Sequence, residues 1–328
     1  MLVSKIRTLA HLIRKLDRIP IIEGEVRELR EKVSVNDGLK ERTEELAEQV
    51  SRLAAQIDRV SSEIMRDTQL RGGRLDLDLK DLKRSLIGAR FAPPDYYLKS
   101  DHPVALSSND HRIPRGTIND DTRWPRFCKK AERIFEGRRI RFLDIGCAGG
   151  GLVFDFLVRG HDAVGIEGSD INWLTERAHW GVIPDRLFTC DAAQPYRFLS
   201  VHGDRPIRFD LISSWEVLEH IPEDSLGQFF RNIKEHLAEK GLFVASVATF
   251  EDRDSETGAV WHVTVRTRAW WLQKLAQFEL EPVETSFVHE DFVRGAGNPF
   301  AADWDAMKNP EMGFHIVATH ARRSHPDE

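Results

Sequence analysis

One stretch, residues 141–170, constrains this chain more than any other: RFLDIGCAGGGLVFDFLVRGHDAVGIEGSD. Phe142, Leu143 and Ile145 make a short apolar run of the kind a buried parallel strand needs. The next residues, GCAGGG at 146–151, let the backbone turn tightly and come close to a ligand. Leu152, Val153, Phe156 and Leu157 recur at helical spacing, and residues 161–166 read as a second strand that ends on Glu167. An acid at the tip of the second strand, ~20 residues beyond the glycines, is placed to bind a ribose diol. The stretch therefore implies a nucleoside-bearing cofactor.

The local pattern G-x-A-x-x-G fits dinucleotides and S-adenosylmethionine alike. Asp144, two residues before the first glycine, favours the second. A carboxylate there can meet the ammonium of a methionine moiety, whereas it would repel a pyrophosphate. Residues 187–192, LFTCDA, read as a third strand ending on an acid suited to an adenine amino group. Residues 209–214, FDLISS, read as a fourth, followed by WEVLEHI, and residues 241–247 as a fifth.

On these motifs the chain resembles the class I S-adenosylmethionine-dependent methyltransferases over roughly residues 140–322. LDIGCAGG is similar to their first motif, with Ala148 where glycine is commoner. AVGIEGSD is similar to the second, CDA to the third and FDLISSWEVLEHI to the fourth. The resemblance implies an α/β fold with a doubly wound, seven-stranded, mostly parallel Rossmann-like sheet. It implies S-adenosyl-L-methionine as cofactor, with Asp144, Gly146, Ala148 and Gly150 along the methionine side. Glu167 and Gly168 would hold the ribose, Asp191 and Ala192 the adenine, and Trp215 would complete the set. A turn-capping role is the alternative for Asp191.

Composition narrows the partners. A chain of 328 residues suggests about two domains. Charged residues are 30% and hydrophobic residues 41%, so a core can form while part of the chain stays strongly polar. The net charge of −6 argues against a broad nucleic-acid surface, which is usually basic. Cys128, Cys147 and Cys190 are scattered and odd in number, so no disulfide framework or zinc spacing follows. Cysteines in the cofactor strands suit a reducing cytoplasm. No apolar run approaches the ~18 residues of a membrane span and the N-terminus lacks a signal-peptide core, so the expected location is cytoplasmic.

Residues 1–20 form a basic amphipathic pattern, with Ile6, Leu9, Leu12, Ile13, Leu16 and Ile19 as its apolar stripe. It fits peripheral contact with the inner membrane surface, or the first turns of a coiled coil. Leu46, Val50, Leu53, Ile57, Val60 and Ile64 then step by 4, 3, 4, 3 and 4. β-Branched residues at a, with leucine mostly at d, favour a homodimer through a parallel coiled coil. Residues 72–73 (Gly-Gly) break that pattern, residues 75–86 read as a short helix, and residues 95–122 read as loop. Three regions are expected: an oligomerisation helix over 1–70, a linker and active-site flap over 71–123, and a methyltransferase domain over 124–328. Asp101, His102, His111 and Arg115 are the flap's reactive candidates. An insertion at 288–312 carries Arg294, Asn298, Pro299, Phe300, Asp303 and Trp304, a polar and aromatic mixture that suits a sugar-like substrate.

The acceptor should enter beyond the fourth strand, where Glu216, Glu219 and His220 follow an E-x-x-E-H spacing. On one helical turn these residues would share a face. His262 follows the fifth strand. In one arrangement His220 or His262 is a general base. In the other, Glu216, Glu219, His220 and His262 hold Mg²⁺ or Mn²⁺, which lowers the acceptor's pKa. That set resembles the small-RNA 3′-end 2′-O-methyltransferases and the ubiquinone-pathway O-methyltransferases, which combine E-x-x-E-H with a later histidine. V-L-E-H also serves as a fold motif in which the acid and histidine only pack or cap. The expected function is O-methylation of a small or carbohydrate-like acceptor, such as a surface-glycan precursor. RNA 2′-O-methylation is an alternative that the acidic balance disfavours. A non-catalytic scaffold is another, and the intact Asp144, Gly146, Glu167 and Asp191 argue against it.

Overall fold

The computed structural model describes residues 91–255, 257–298 and 303–321, and Gly24 before them. The membrane-surface pattern, the heptad seam with its dimer, and the helix expected over 75–86 lie outside the described residues, as do Pro299 and Phe300. The chain divides into two units, Met1–Asp81 and Leu82–Glu328. The second contains β1 (Tyr96–Ser100), α1 (Asn109–Arg112), α2 (Arg115–Asn119), α3 (Pro125–Ile134), β2 (Arg141–Ile145), α4 (Gly151–Val158), β3 (Asp162–Glu167) and α5 (Ile171–Leu174). It continues with β4 (Leu187–Thr189), β5 (Tyr196–Ser200), β6 (Phe209–Trp215), α6 (Leu226–His236), β7 (Leu237–Ala248), α7 (Arg268–Ala276), β8 (Leu280–Pro282) and β9 (Gly313–His320).

Seven strands form one sheet in the order β4-β3-β2-β6-β7-β9-β8. β4, β3, β2, β6 and β7 run parallel, β9 is antiparallel to β7, and β8 is antiparallel to β9. The expected doubly wound, mostly parallel sheet is therefore present. Its central strands are buried on both faces, which is why they read as continuous apolar runs. Successive residues point to opposite sides. Leu143, Ile212 and Phe243 join a core with Phe230 and Ile233 of α6 and Trp271 and Leu275 of α7. Phe142, Leu211 and Val244 join the core on the other side, with Phe127 of α3 and Phe156 of α4. Phe142 and Phe156 stack with centroids 4.0 Å apart. This two-sided packing fixes where β2, β3 and β6 end. β2 lies between β3 and β6, so the strand order reverses there and opens a crevice beyond the carboxyl ends.

The segment read as loop over 95–122 is more ordered than its composition suggests. β1 pairs antiparallel with β5, a strand the sequence did not reveal, in a separate two-stranded sheet. Tyr96 is buried, donates its hydroxyl to Asp162 at 3.1 Å, and meets Phe198 and Phe209 edge-on. Its partner strand lies about a hundred residues away, so no local pattern announces the pair. One strand is shorter than expected: β4 stops at Thr189 rather than running on to residue 192. Among the described residues no helix is long and apolar enough to cross a membrane.

Candidate active site

A cleft of about 1070 Å³ lies at the carboxyl ends of the parallel strands. Its floor is the glycine turn between β2 and α4. Gly146 and Gly150 have φ of 76° and 83°, and Ala148 has φ of 43°, unusual for a residue with a side chain. At Gly146 a Cβ would run into the side chain of Val217, so the turn and the segment after β6 pack without room for one. We expect Gly146→Ala to lower stability by at least ~2 kcal/mol through left-handed strain and overlap. Thermal unfolding of the purified variant checks this.

Glu167 ends β3 and is buried. Its Oε2 accepts from the N–H of Ala148 at 2.8 Å, and its Oε1 from Ser169 N at 3.2 Å and Thr117 Oγ1 at 3.4 Å. Burial raises its pKa. Gly168 carries Ala105 against it, and Ala105 N donates to the Gly168 carbonyl at 2.8 Å. Asp191 N donates to the His102 carbonyl at 3.0 Å, while its Oδ1 caps Ala193 N at 2.9 Å. The segment before α1 is thus stitched across the ends of β3 and β4, and Ala192 lines the cleft beside it. Asp144 is buried and accepts from Ser213 Oγ at 2.6 Å; burial pushes its carboxyl up to about 7. Trp215, at the end of β6, is buried with its Nε1 unpartnered and meets Phe127 edge-on.

At the other end of the cleft, Glu219, His220 and His262 each place a ligand atom within 4.8 Å of the others. The two imidazole rings are 4.8 Å apart. His220 Nδ1 donates to Asp110 Oδ2 at 2.9 Å, and His262 Nδ1 donates to the Phe250 carbonyl at 2.7 Å. In both rings, therefore, Nε2 is the lone-pair nitrogen when the ring is neutral, and a second partner fixes the ring's orientation. Glu219 is fully buried, with Oε1 bound to Ala248 N at 2.9 Å and Oε2 unpartnered. Burial and the charge of Glu216 push Glu219 up to about 8. Burial opposes charge on His220, but the hydrogen bond and charge of Asp110 prevail and hold it at about 9. Burial and the neighbouring His220 lower the pKa of His262.

Glu216 does not join that cluster. The expected helical turn is absent. Glu216 has φ of 55°, and only Leu218–His220 form a 3₁₀ turn. The left-handed residue sends the Glu216 side chain to the insertion, where Trp304 Nε1 donates to its Oε2 at 2.6 Å. Trp304 and Arg294 both line the cleft. Of the flap candidates, Arg115 lines it and binds Asp252 at 2.9 Å, whereas Asp101 and His102 are exposed and His111 lies 3.8 Å from Asp170. The sequence reading missed Asp110, which orients His220, and Asp120, which binds Arg294.

A family model described as a methyltransferase domain matches residues 120–283, half of the chain. The chain belongs to the S-adenosylmethionine-dependent methyltransferases. It is 31% identical over 196 residues to a ubiquinone biosynthesis O-methyltransferase of Sinorhizobium fredii, covering 55% of this chain and 72% of the relative. It is 29% identical over 206 residues to the protein of that name from Sinorhizobium medicae, covering 58% and 75%. The CcbJ methyltransferase from Streptomyces caelestis, a solved structure, is 15% identical with a TM-score of 0.42, covering 67% of this chain and 99% of that one. The methyltransferase uses S-adenosyl-L-methionine, and its glycine turn, Glu167, Asp191, His220 and His262 all open onto one cleft, with Glu219 buried beside the two histidines.

Proposed function

We propose that this methyltransferase moves the cofactor's methyl group to a hydroxyl oxygen of a small, hydroxyl-rich acceptor, with a divalent cation held by Glu219, His220 and His262. The observation that carries this reading is the triad itself. Two imidazoles are oriented by Asp110 and by the Phe250 carbonyl, and the third group offers a buried, unpartnered carboxylate oxygen. Histidine ligands with the other nitrogen already bonded, beside a carboxylate, make a mixed O/N site, in which two imidazoles suit Mn²⁺ better than the harder Mg²⁺. Donors around such an ion stand ~3 Å apart when adjacent and ~4.2 Å when opposed, so side chains now within 4.8 Å would draw together around it. An ion there lowers the pKa of an acceptor hydroxyl. Glu216, engaged with Trp304, stays outside the ligand set.

The chain's own residues do the rest. Glu167 takes the two ribose hydroxyls, Asp191 the adenine amine, and the turn at 146–150 seats the methionine end. The methyl then faces the triad, and holding the acceptor oxygen in line supplies much of the rate. Trp261 and Trp304 wall the acceptor end together with Asp252 and Asp303. Aromatic faces with carboxylates favour a hydroxyl-rich ring, such as a glycan precursor, over a polyanionic RNA. The names of the relatives favour a second reading, an acceptor of the ubiquinone-biosynthesis type.

Transfer of labelled methyl to extract fractions sorted into lipid-linked glycan, quinone-type lipid, RNA and small molecules tests the acceptor. Label in RNA alone would overturn the reading. Activity should fall with chelator and return with Mg²⁺ or Mn²⁺; indifference to chelator would leave His220 or His262 as a metal-free base.

A further inference from the structure

We infer that Arg294, from the insertion after β8, binds the carboxylate of the cofactor's methionine moiety, and that its ion pair with Asp120 is exchanged for the incoming zwitterion. The inference rests on the proposed placement of the ribose at Glu167 and of the methyl at the triad. The sulfonium has three arms. With two directions taken, the amino-acid arm must run over the glycine turn toward Asp144 and Gly146. There a recess of about 20 Å³, room for one water, is lined by Asp120, Asp144, Gly146, Trp215 and Arg294.

The carboxylate needs a donor there, and residues 146–150 of the turn have none to spare. Gly146 N and Cys147 N donate to the Ile166 carbonyl, Ala148 N to Glu167, Gly149 N to the Asp120 carbonyl, and Gly150 N to the Cys147 carbonyl. Among the described residues, the arginines lining the larger cleft are Arg115, Arg123 and Arg294, and the one other cation, His220, is committed to Asp110 at the acceptor end. Arg115 binds Asp252 and lies over Trp261 at the acceptor end. Arg123 binds Asp155 and lies over Phe154. Arg294 alone also lines the recess beside Asp144 and Gly146. Its backbone is held from behind, because His315 of β9 donates to the Arg294 carbonyl at 2.7 Å.

Arg294 is paired with Asp120, whose other oxygen accepts from Thr122 N at 2.8 Å. An acid and a base facing one another across a recess mirror the ammonium and carboxylate of an amino acid. Binding can exchange the pair without leaving either charge uncompensated: the guanidinium takes the carboxylate, while Asp120 and Asp144 face the ammonium. A guanidinium grips a carboxylate through two parallel N–H bonds, which sets direction as well as strength.

Calorimetry on the full chain tests this with three ligands. These are S-adenosylhomocysteine, its decarboxylated analogue S-adenosyl-3-thiopropylamine, and 5′-methylthioadenosine, which lacks the whole amino-acid end. Arg294→Gln should weaken S-adenosylhomocysteine by about 10- to 100-fold, the cost of a charged hydrogen-bonded pair, and leave the other two within about twofold. Equal weakening of all three, or unchanged S-adenosylhomocysteine affinity, overturns the assignment. If Arg294→Gln does not fold, Arg294→Lys should weaken S-adenosylhomocysteine alone by several-fold, and the same two outcomes overturn it. Methylthioadenosine binding to Glu167→Gln reports separately on the ribose placement.

Discussion

Replacing His262 with alanine should cut methyl transfer by about 10²- to 10⁴-fold, the range for removing a positioned proton-transfer or activating group, and leave S-adenosylhomocysteine affinity within about twofold. His262 reaches the cluster from the segment after β7, and its Nδ1–H is committed to the Phe250 carbonyl at 2.7 Å. What alanine removes is the lone pair at Nε2. The glycine turn, Glu167 and Asp191 make none of their hydrogen bonds through this ring, so cofactor binding should persist. Single-turnover rates with labelled cofactor, alongside calorimetry, separate the two readouts. A structural role predicts a different pattern, in which the melting temperature falls and cofactor affinity falls with it, because the Phe250 carbonyl loses its donor. Asp110→Asn should share the His262→Ala phenotype in milder form, since an amide can still accept from His220 but no longer holds its charge.

Glu167→Ala should weaken S-adenosylmethionine by at least about tenfold, because two ribose hydroxyls lose a charged acceptor, each such bond being worth roughly 1.5–3 kcal/mol. A second cost is visible in the structure. Glu167 holds the N–H of Ala148, the residue with a side chain that sits at positive φ in the glycine turn. Alanine at 167 would free that N–H and loosen the floor on which the cofactor lies. Glu167→Gln keeps an acceptor for Ala148 and should lose less affinity than Glu167→Ala. Unchanged affinity in a folded Glu167→Ala protein would refute the ribose assignment.

Several features were legible in the residues alone because their determinants are local. The run from β2 through the glycine turn and α4 to Glu167 shows itself in periodicity and spacing, and its β2–β3 pairing and the bond from Ala148 N to Glu167 close within some thirty residues. Both faces of β2, β6 and β7 are buried, so those strands announce themselves as apolar runs. Other features had no such signature. β1 and β5 are short, and they are held by each other, by Tyr96 on Asp162 and by packing against distant core residues such as Phe209. The E-x-x-E-H spacing suggested one helical face, yet the backbone at Glu216 is left-handed, so that acid leaves its neighbours for Trp304.

What the sequence determined by itself is the sheet and the cofactor, and it offered Glu216, Glu219, His220 and His262 as one candidate set. Only the tertiary structure decided which partners orient them and which acid stands apart. Asp110 meets His220 across 110 residues, and Asp120 meets Arg294 across 174. Periodicity reports neighbours along one element. It carries no record of side chains that the fold brings together from separate loops, because each such contact is set by the packing of the elements between them.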